Sequence, residues 1–291
     1  PNQETITRYK QVKTQRESQL QVFKSAAQQE ARTANGRRVE VAANVGEIAS
    51  ARDAMENGAE GIGLLRTEFL YLEDSQPPSE EKQFRIYREI FEVMKGHPVI
   101  IRTLDIGGDK PPSYLSIPQE MNPFLGWRAI RISLDEPDLF KTQLRAILRA
   151  AVEHNARIMF PMVSDLDELR RARDIVDAVK RDLELDSVEF ASDVPVGIMV
   201  ETPAAAMLVD VLAEASDFFS LGTNDLTQYT LAVDRGNAKV ANLFQPLHPA
   251  VLRLVKHTID AGHAKGKWVG MCGELAGMTK AIPILLGFGL D

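Results

Sequence analysis

The sequence predicts an α/β fold, an eight-stranded parallel β/α barrel of the TIM type that lacks its last strand in this chain. Three observations carry this. Seven short, apolar, β-rich runs are each followed by a helical stretch, which implies parallel pairing with right-handed crossovers. The length after residue 36, roughly 255 residues, matches a barrel. Every candidate polar site falls at the C-terminal end of a strand, the rim where barrels place their chemistry. An open doubly wound sheet competes with this arrangement and is less well served by the second and third observations.

Residues 1–35 are rich in Gln, Lys, Arg and Glu, with Ile6, Tyr9, Val12, Leu20 and Phe23 at loosely helical spacing. They predict a solvated helix ending near Asn35-Gly36, a helical linker ahead of a barrel domain over 36–291. The strands are expected at 39–45, 61–65, 99–104, 157–163, 196–200, 218–221 and 268–272. Amphipathic helices are expected at 80–95, 165–185, 203–215 and 249–265, each opening on a cap-type residue or a proline. The chain stops at Gly287-Phe-Gly-Leu-Asp291, after a helix-like 280–286, where the eighth strand should begin. A C-terminal truncation is the expectation, and the opening Pro1 suggests a piece of a longer protein.

With 291 residues, 44% hydrophobic and 26% charged, the chain can bury a full core. No apolar stretch reaches the roughly 20 residues of a bilayer span, and no basic-then-apolar leader opens the chain, so membrane insertion is not expected. The single cysteine excludes an internal disulfide framework and suits a reducing compartment, so a cytoplasmic location is expected. A net charge of -7 argues against a nucleic-acid surface, which needs clustered Lys and Arg. An anionic small molecule stays open, because charges beyond about 8 to 10 Å are screened and a few arginines set a pocket's potential.

Glu201 and Asp225 each follow an apolar strand and should emerge on one rim. Two carboxylates from neighbouring strand ends suit Mg2+, which takes one or two of them and fills its octahedron with water and substrate oxygens. N-capping of the next helix is the competing reading of each. Arg66 (Leu64-Leu-Arg-Thr-Glu68) and Arg102 end the second and third strands, and Arg235 follows the sixth. An arginine fork fits phosphate and carboxylate bidentately, although each alone also reads as a surface salt-bridge partner. Three converging beside two carboxylates point to a phosphorylated acid bridged by metal.

The pair Gly107-Gly108 ahead of Lys110 reads as a phosphate-cradling loop or as an ordinary turn, which leaves Lys110 a secondary candidate. Cys272, in Gly270-Met-Cys-Gly-Glu274, ends the seventh strand between glycines that permit close approach, and otherwise reads as a small buried hydrophobe. With no second cysteine and no ligand-spaced histidines, a zinc site is not expected. His97, His154, His248, His257 and His263 read as structural or solvated, Trp127 as packing, and Arg128 beside it could face the pocket.

Leu221-Gly-Thr-Asn-Asp-Leu-Thr-Gln-Tyr-Thr230 resembles the family of phosphoenolpyruvate-utilising enzymes, and the likeness runs over nearly everything from Val39 onward. Arg102-Thr-Leu-Asp-Ile-Gly-Gly-Asp-Lys110, Asn122-Pro-Phe-Leu-Gly-Trp-Arg-Ala-Ile-Arg131 and Leu231-Ala-Val-Asp-Arg-Gly-Asn237 look like the Enzyme I branch. They look less like pyruvate phosphate dikinase or phosphoenolpyruvate synthase. The resemblance implies that Arg66, Arg102 and Arg235 hold the anionic groups of phosphoenolpyruvate with Asn224 assisting, and that Glu201 and Asp225 bind Mg2+. It implies that Cys272 exchanges a proton with the methylene carbon as pyruvate is made. It further implies homodimerisation, a phosphohistidine on an N-terminal domain not in this chain, and a small phosphocarrier protein beyond it. A non-catalytic phosphoenolpyruvate-sensing module is the competing reading.

Overall fold

The computed structural model describes residues 2–72, 75–108, 112, 114, 115 and 120–291. In chain order the elements are α1 (Gln3–Ala26), β1 (Ala43–Val45), α2 (Ile48–Glu56), β2 (Ile62–Leu65), α3 (Phe69–Leu72), α4 (Glu80–Met94) and β3 (Val99–Arg102). There follow α5 (Ile130–Asp135), α6 (Pro137–Ala150), β4 (Ala156–Phe160), α7 (Leu166–Leu185), β5 (Val196–Val200), α8 (Pro203–Met207) and α9 (Val209–Leu212). The chain continues through β6 (Phe218–Leu221), α10 (Thr223–Leu231), α11 (Pro249–Ala264), β7 (Trp268–Met271) and α12 (Ile282–Phe288).

The seven strands form one sheet in sequential order β1 to β7, every neighbouring pair parallel. All seven expected strands are present, most trimmed at the ends. The expected eighth strand is not among the described residues, so the architecture is a curled, barrel-like seven-stranded sheet. Its edges approach one another at both ends. Asn44 on β1 donates to the carbonyl of Cys272 just past β7 at 2.8 Å. Asp291 donates its amide to Val269 of β7 at 3.2 Å, and its carbonyl accepts from the Glu40 amide at 3.4 Å.

Parallel strands covered on both faces should read as continuous apolar runs, and β5 is buried at all five positions. Pleating then sorts the side chains into two cores. Val99, Ile101, Ile158, Phe160, Ile198 and Phe219 point outward into the layer beneath the helices. Leu64, Ile100, Met159, Met199, Phe218 and Cys272 meet inside the curl. The inner set is the floor on which the rim residues stand.

Two expectations are corrected. Helix α1 ends at Ala26, not near Asn35, because the chain docks on the end of α2 there. Gln28 Nε2 donates to the Glu56 carbonyl at 3.1 Å, and the Ala27 carbonyl lies where a Cβ on Gly58 would be. Asn35-Gly36 instead turns a small hairpin that pairs Arg32 with Arg38, Gly36 taking φ 87°. The stretch 203–215 is two short helices that break at Leu208 rather than one. Along α1 the side chains of Ile6, Tyr9, Val12 and Phe23 are exposed, as a solvated helix requires.

Candidate active site

Each strand that carries a candidate residue delivers it at its C-terminal end. Arg66 follows β2, Arg102 closes β3, Glu201 follows β5, and Cys272 follows β7. Asn224 and Asp225 occupy the first turn of α10 directly after β6, and Arg235 lies in the loop beyond that helix. Arg128 is set two residues before α5. All eight line one cavity of about 340 Å³, together with Asp105 and Glu274. Lys110 lies outside the described residues.

Glycine backbone makes two of these placements possible. Gly107 has φ 112°, and a Cβ there would lie 2.5 Å from the Cβ of Arg128. Gly107 therefore serves the approach of Arg128, a role beyond the turn or cradle expected of it. A Cβ on Gly273 would lie 2.0 Å from Thr223 Oγ1, so glycine lets the loop after Cys272 press against the start of α10.

The arginines divide into two kinds. Arg102 is buried, with Nη2 on Glu68 at 2.8 Å and Nη1 on Asp105 at 2.9 Å. Burial opposes its charge, but Glu68, Asp105 and Glu201 outweigh this and hold the guanidinium above its ordinary pKa. Arg128 is also buried. It meets Asp105 through Nη2 at 2.9 and 3.1 Å, Tyr229 through Nη1 at 3.1 Å and Asp225 through Nη2 at 3.5 Å. Arg66 forms no ion pair among the described residues and is exposed. Arg235 approaches Asp225 at 3.6 Å with its side chain 38% exposed.

Asp105 is one of the residues that sequence reasoning missed. It accepts from both buried arginines and so holds two like charges side by side. Burial alone would raise its pKa, but Arg102 and Arg128 bring it below the usual carboxylate value. Its place three residues after Arg102, inside a stretch already singled out, was legible, but its pairing with Arg128 was not. Glu68, also missed, is shifted the other way, burial outweighing the pull of Arg102.

Glu201 is buried and pushed up to about 8, first by burial and then by the charges of Asp225 and Asp105. One oxygen accepts the Met162 amide at 2.7 Å. Asp225 Oδ1 is buried and has no hydrogen-bond partner among the described residues, the Arg235 contact being too long. A carboxylate oxygen without a partner beside a second carboxylate reluctant to ionise fits a divalent cation between them. Among the described residues no group of three or more His, Cys, Asp or Glu could hold a metal, so the remaining positions would fall to water and ligand oxygens.

Cys272 is buried against the inner core, and burial pushes its thiol up to about 11, partly offset by Ser220 and Arg102. It is therefore a protonated thiol at neutral pH, facing the cavity. Asn224 is tied to Glu274: its Nδ2 donates to Oε1 at 3.1 Å and its Oδ1 accepts the Glu274 amide at 3.0 Å. None of the histidines lines the cavity. His154 stacks on Phe91, and His248 caps α11. Trp127 donates to Asp135 Oδ2 at 2.8 Å outside the cavity.

Residues 21–291 match a family model described as PEP-utilising enzyme, PEP-binding domain. A phosphoenolpyruvate-protein phosphotransferase of Geobacillus stearothermophilus is 53% identical over 291 residues, 100% of this chain and 50% of the relative. One of Haemophilus influenzae is 53% identical over 259 residues, 89% of this chain and 45% of the relative. The chain thus spans about half the length of these curated relatives. A HpcH/HpaI aldolase/citrate lyase family protein from Burkholderia cenocepacia shares the fold with a TM-score of 0.52 at 16% identity, covering 86% of this chain and 84% of its own.

Proposed function

From the premise that the chain belongs to the PEP-utilising enzyme family, through its PEP-binding domain, we propose that the cavity binds phosphoenolpyruvate with Mg2+ as half of a phosphotransferase. One observation carries the reading. On residues of a single cavity, Arg102 Nε and Asp225 Oδ1 are both buried without a hydrogen-bond partner among the described residues. A buried donor and a buried acceptor left unpaired each cost free energy, and one ligand made of an anion and a cation relieves both.

In this reading Arg66 and Arg235, the less committed guanidiniums, take the phosphate and carboxylate oxygens, with Arg102 adding its Nε and Arg128 backing the pair. Asn224 assists once its amide is released from Glu274. Glu201 and Asp225 hold Mg2+, which when bound neutralises charge that develops on the phosphoryl oxygens. The phosphoryl group leaves the enol oxygen for a histidine nitrogen on a domain outside this chain, and passes from there to a phosphocarrier protein. The P–O bond breaks as the N–P bond forms, and the departing enolate takes a proton at its methylene carbon from Cys272 Sγ, yielding pyruvate.

Residues 1–35, helical only as far as Ala26, serve as the connection to that phosphohistidine domain. We place the protein in the cytoplasm as a homodimer feeding sugar transport. The test supplies the phosphohistidine domain in trans with Mg2+ and phosphoenolpyruvate and follows pyruvate. Release of pyruvate is expected. Substrate binding with no pyruvate would favour a sensing module.

Arg102 gives a narrower prediction. Arg102→Lys keeps the charge but cannot span Glu68 and Asp105 while presenting a third nitrogen to the ligand, so phosphoenolpyruvate binding should weaken by about tenfold or more. Calorimetric curves that match wild type would return Arg102 to a purely structural ion pair.

A further inference from the structure

Asp225 and Tyr229 stand one helical turn apart on α10, so their side chains leave the same face of the helix. Both reach Arg128, Asp225 Oδ2 at 3.5 Å from Nη2 and the Tyr229 hydroxyl accepting from Nη1 at 3.1 Å. The same hydroxyl donates to the Phe124 carbonyl. One O–H and two lone pairs allow it to do both at once. Phe124 belongs to the 3-10 turn Pro123–Leu125, a few residues ahead of Arg128, and its ring lies 5.8 Å from the guanidinium carbon. The hydroxyl therefore grips the arginine and the backbone of the loop that carries it. Tyr229 lines the neighbouring cavity, beside Phe124 and Met162, and touches the site through Arg128. Burial raises the phenol to about 12, so it keeps its proton across the neutral range.

We propose that Tyr229 is a positioning residue for phosphoenolpyruvate binding, its hydroxyl fixing Arg128 in the cavity wall by tying the Phe124–Arg128 loop to helix α10. The inference rests on the reading of the cavity as a phosphoenolpyruvate site. Tyr229→Phe removes one oxygen and keeps the ring, so packing survives while Arg128 loses an acceptor and the loop loses its anchor. Hydrogen bonds to charged groups predict about a tenfold loss in phosphoenolpyruvate affinity in the presence of Mg2+.

The test is calorimetry on four proteins: wild type, Tyr229→Phe, Arg128→Lys and the double variant, each with a melting curve. If Tyr229 acts through Arg128, the Phe substitution costs about tenfold in the wild-type background and less than about threefold once Arg128 is Lys, because contacting residues are non-additive. Equal losses in both backgrounds, unchanged binding in the single variant, or an unfolded Tyr229→Phe would each overturn the proposal. A wild-type protein that binds no phosphoenolpyruvate would instead fail the underlying reading, and is seen in the first titration alone.

Discussion

Cys272→Ala is expected to retain phosphoenolpyruvate binding and lose turnover by about a hundredfold to ten-thousandfold, the usual contribution of a general acid. The thiol is buried at the cavity wall and held protonated by a pKa pushed up to about 11. That state suits an acid that must give up a proton only when a basic enolate carbon forms beside it. The arginines and carboxylates that would hold the substrate are on other elements, so the substitution leaves them in place. Packing is affected slightly, since Cys272 belongs to the inner core with Leu64, Ile100 and Met199. Deleting one sulfur there should cost on the order of 1 kcal/mol, visible as a small drop in melting temperature. The measurement is steady-state pyruvate release with the phosphohistidine domain present, beside a binding isotherm. Near-normal turnover would remove the proton-donor role and leave the binding site untouched.

Glu201→Gln and Asp225→Asn are each expected to abolish the enhancement of phosphoenolpyruvate binding by Mg2+, since each removes an anionic oxygen from a hard cation that draws on few protein ligands. The two carboxylates also predict a pH dependence. Without metal, Glu201 has a pKa raised from 4.5 to about 8, by burial and by Asp225 and Asp105. The folded state thus holds a proton that the unfolded state releases earlier. This contribution to stability is complete below about pH 4.5 and is lost as pH rises through about 8. Mg2+ would need the ionised form, so its binding is expected to expel the proton below pH 8 and to strengthen with pH by at most about tenfold per unit, levelling off above it. Glu201→Gln should flatten both trends. Equal Mg2+ enhancement in wild type and both variants would contradict the metal assignment.

The strands and the rim were legible because they depend on local pattern. A fully buried parallel strand such as Val196–Val200 is apolar throughout, and a polar residue straight after it stands out. Glu201 and Cys272, directly after their strands, and Arg102, the last residue of β3, stand out as candidates in this way. Asp105 was not, because a carboxylate three residues past a strand end has no local mark of its role, which exists only once Arg128 arrives from the far side of an intervening segment. The same reason hid the engagement of Asn224 by Glu274, fifty residues away. The end of α1 was misplaced because the sequence around Gln28-Gln-Glu30 favours helix, and its docking on α2 is a tertiary contact.

Every role proposed for the rim residues depends on this cavity binding phosphoenolpyruvate together with Mg2+. Calorimetric titration of the protein with phosphoenolpyruvate, with and without Mg2+, tests it most directly. Saturable binding with one site per chain is expected when Mg2+ is present, and markedly weaker binding when it is removed by chelation. No heat of binding under either condition would contradict it.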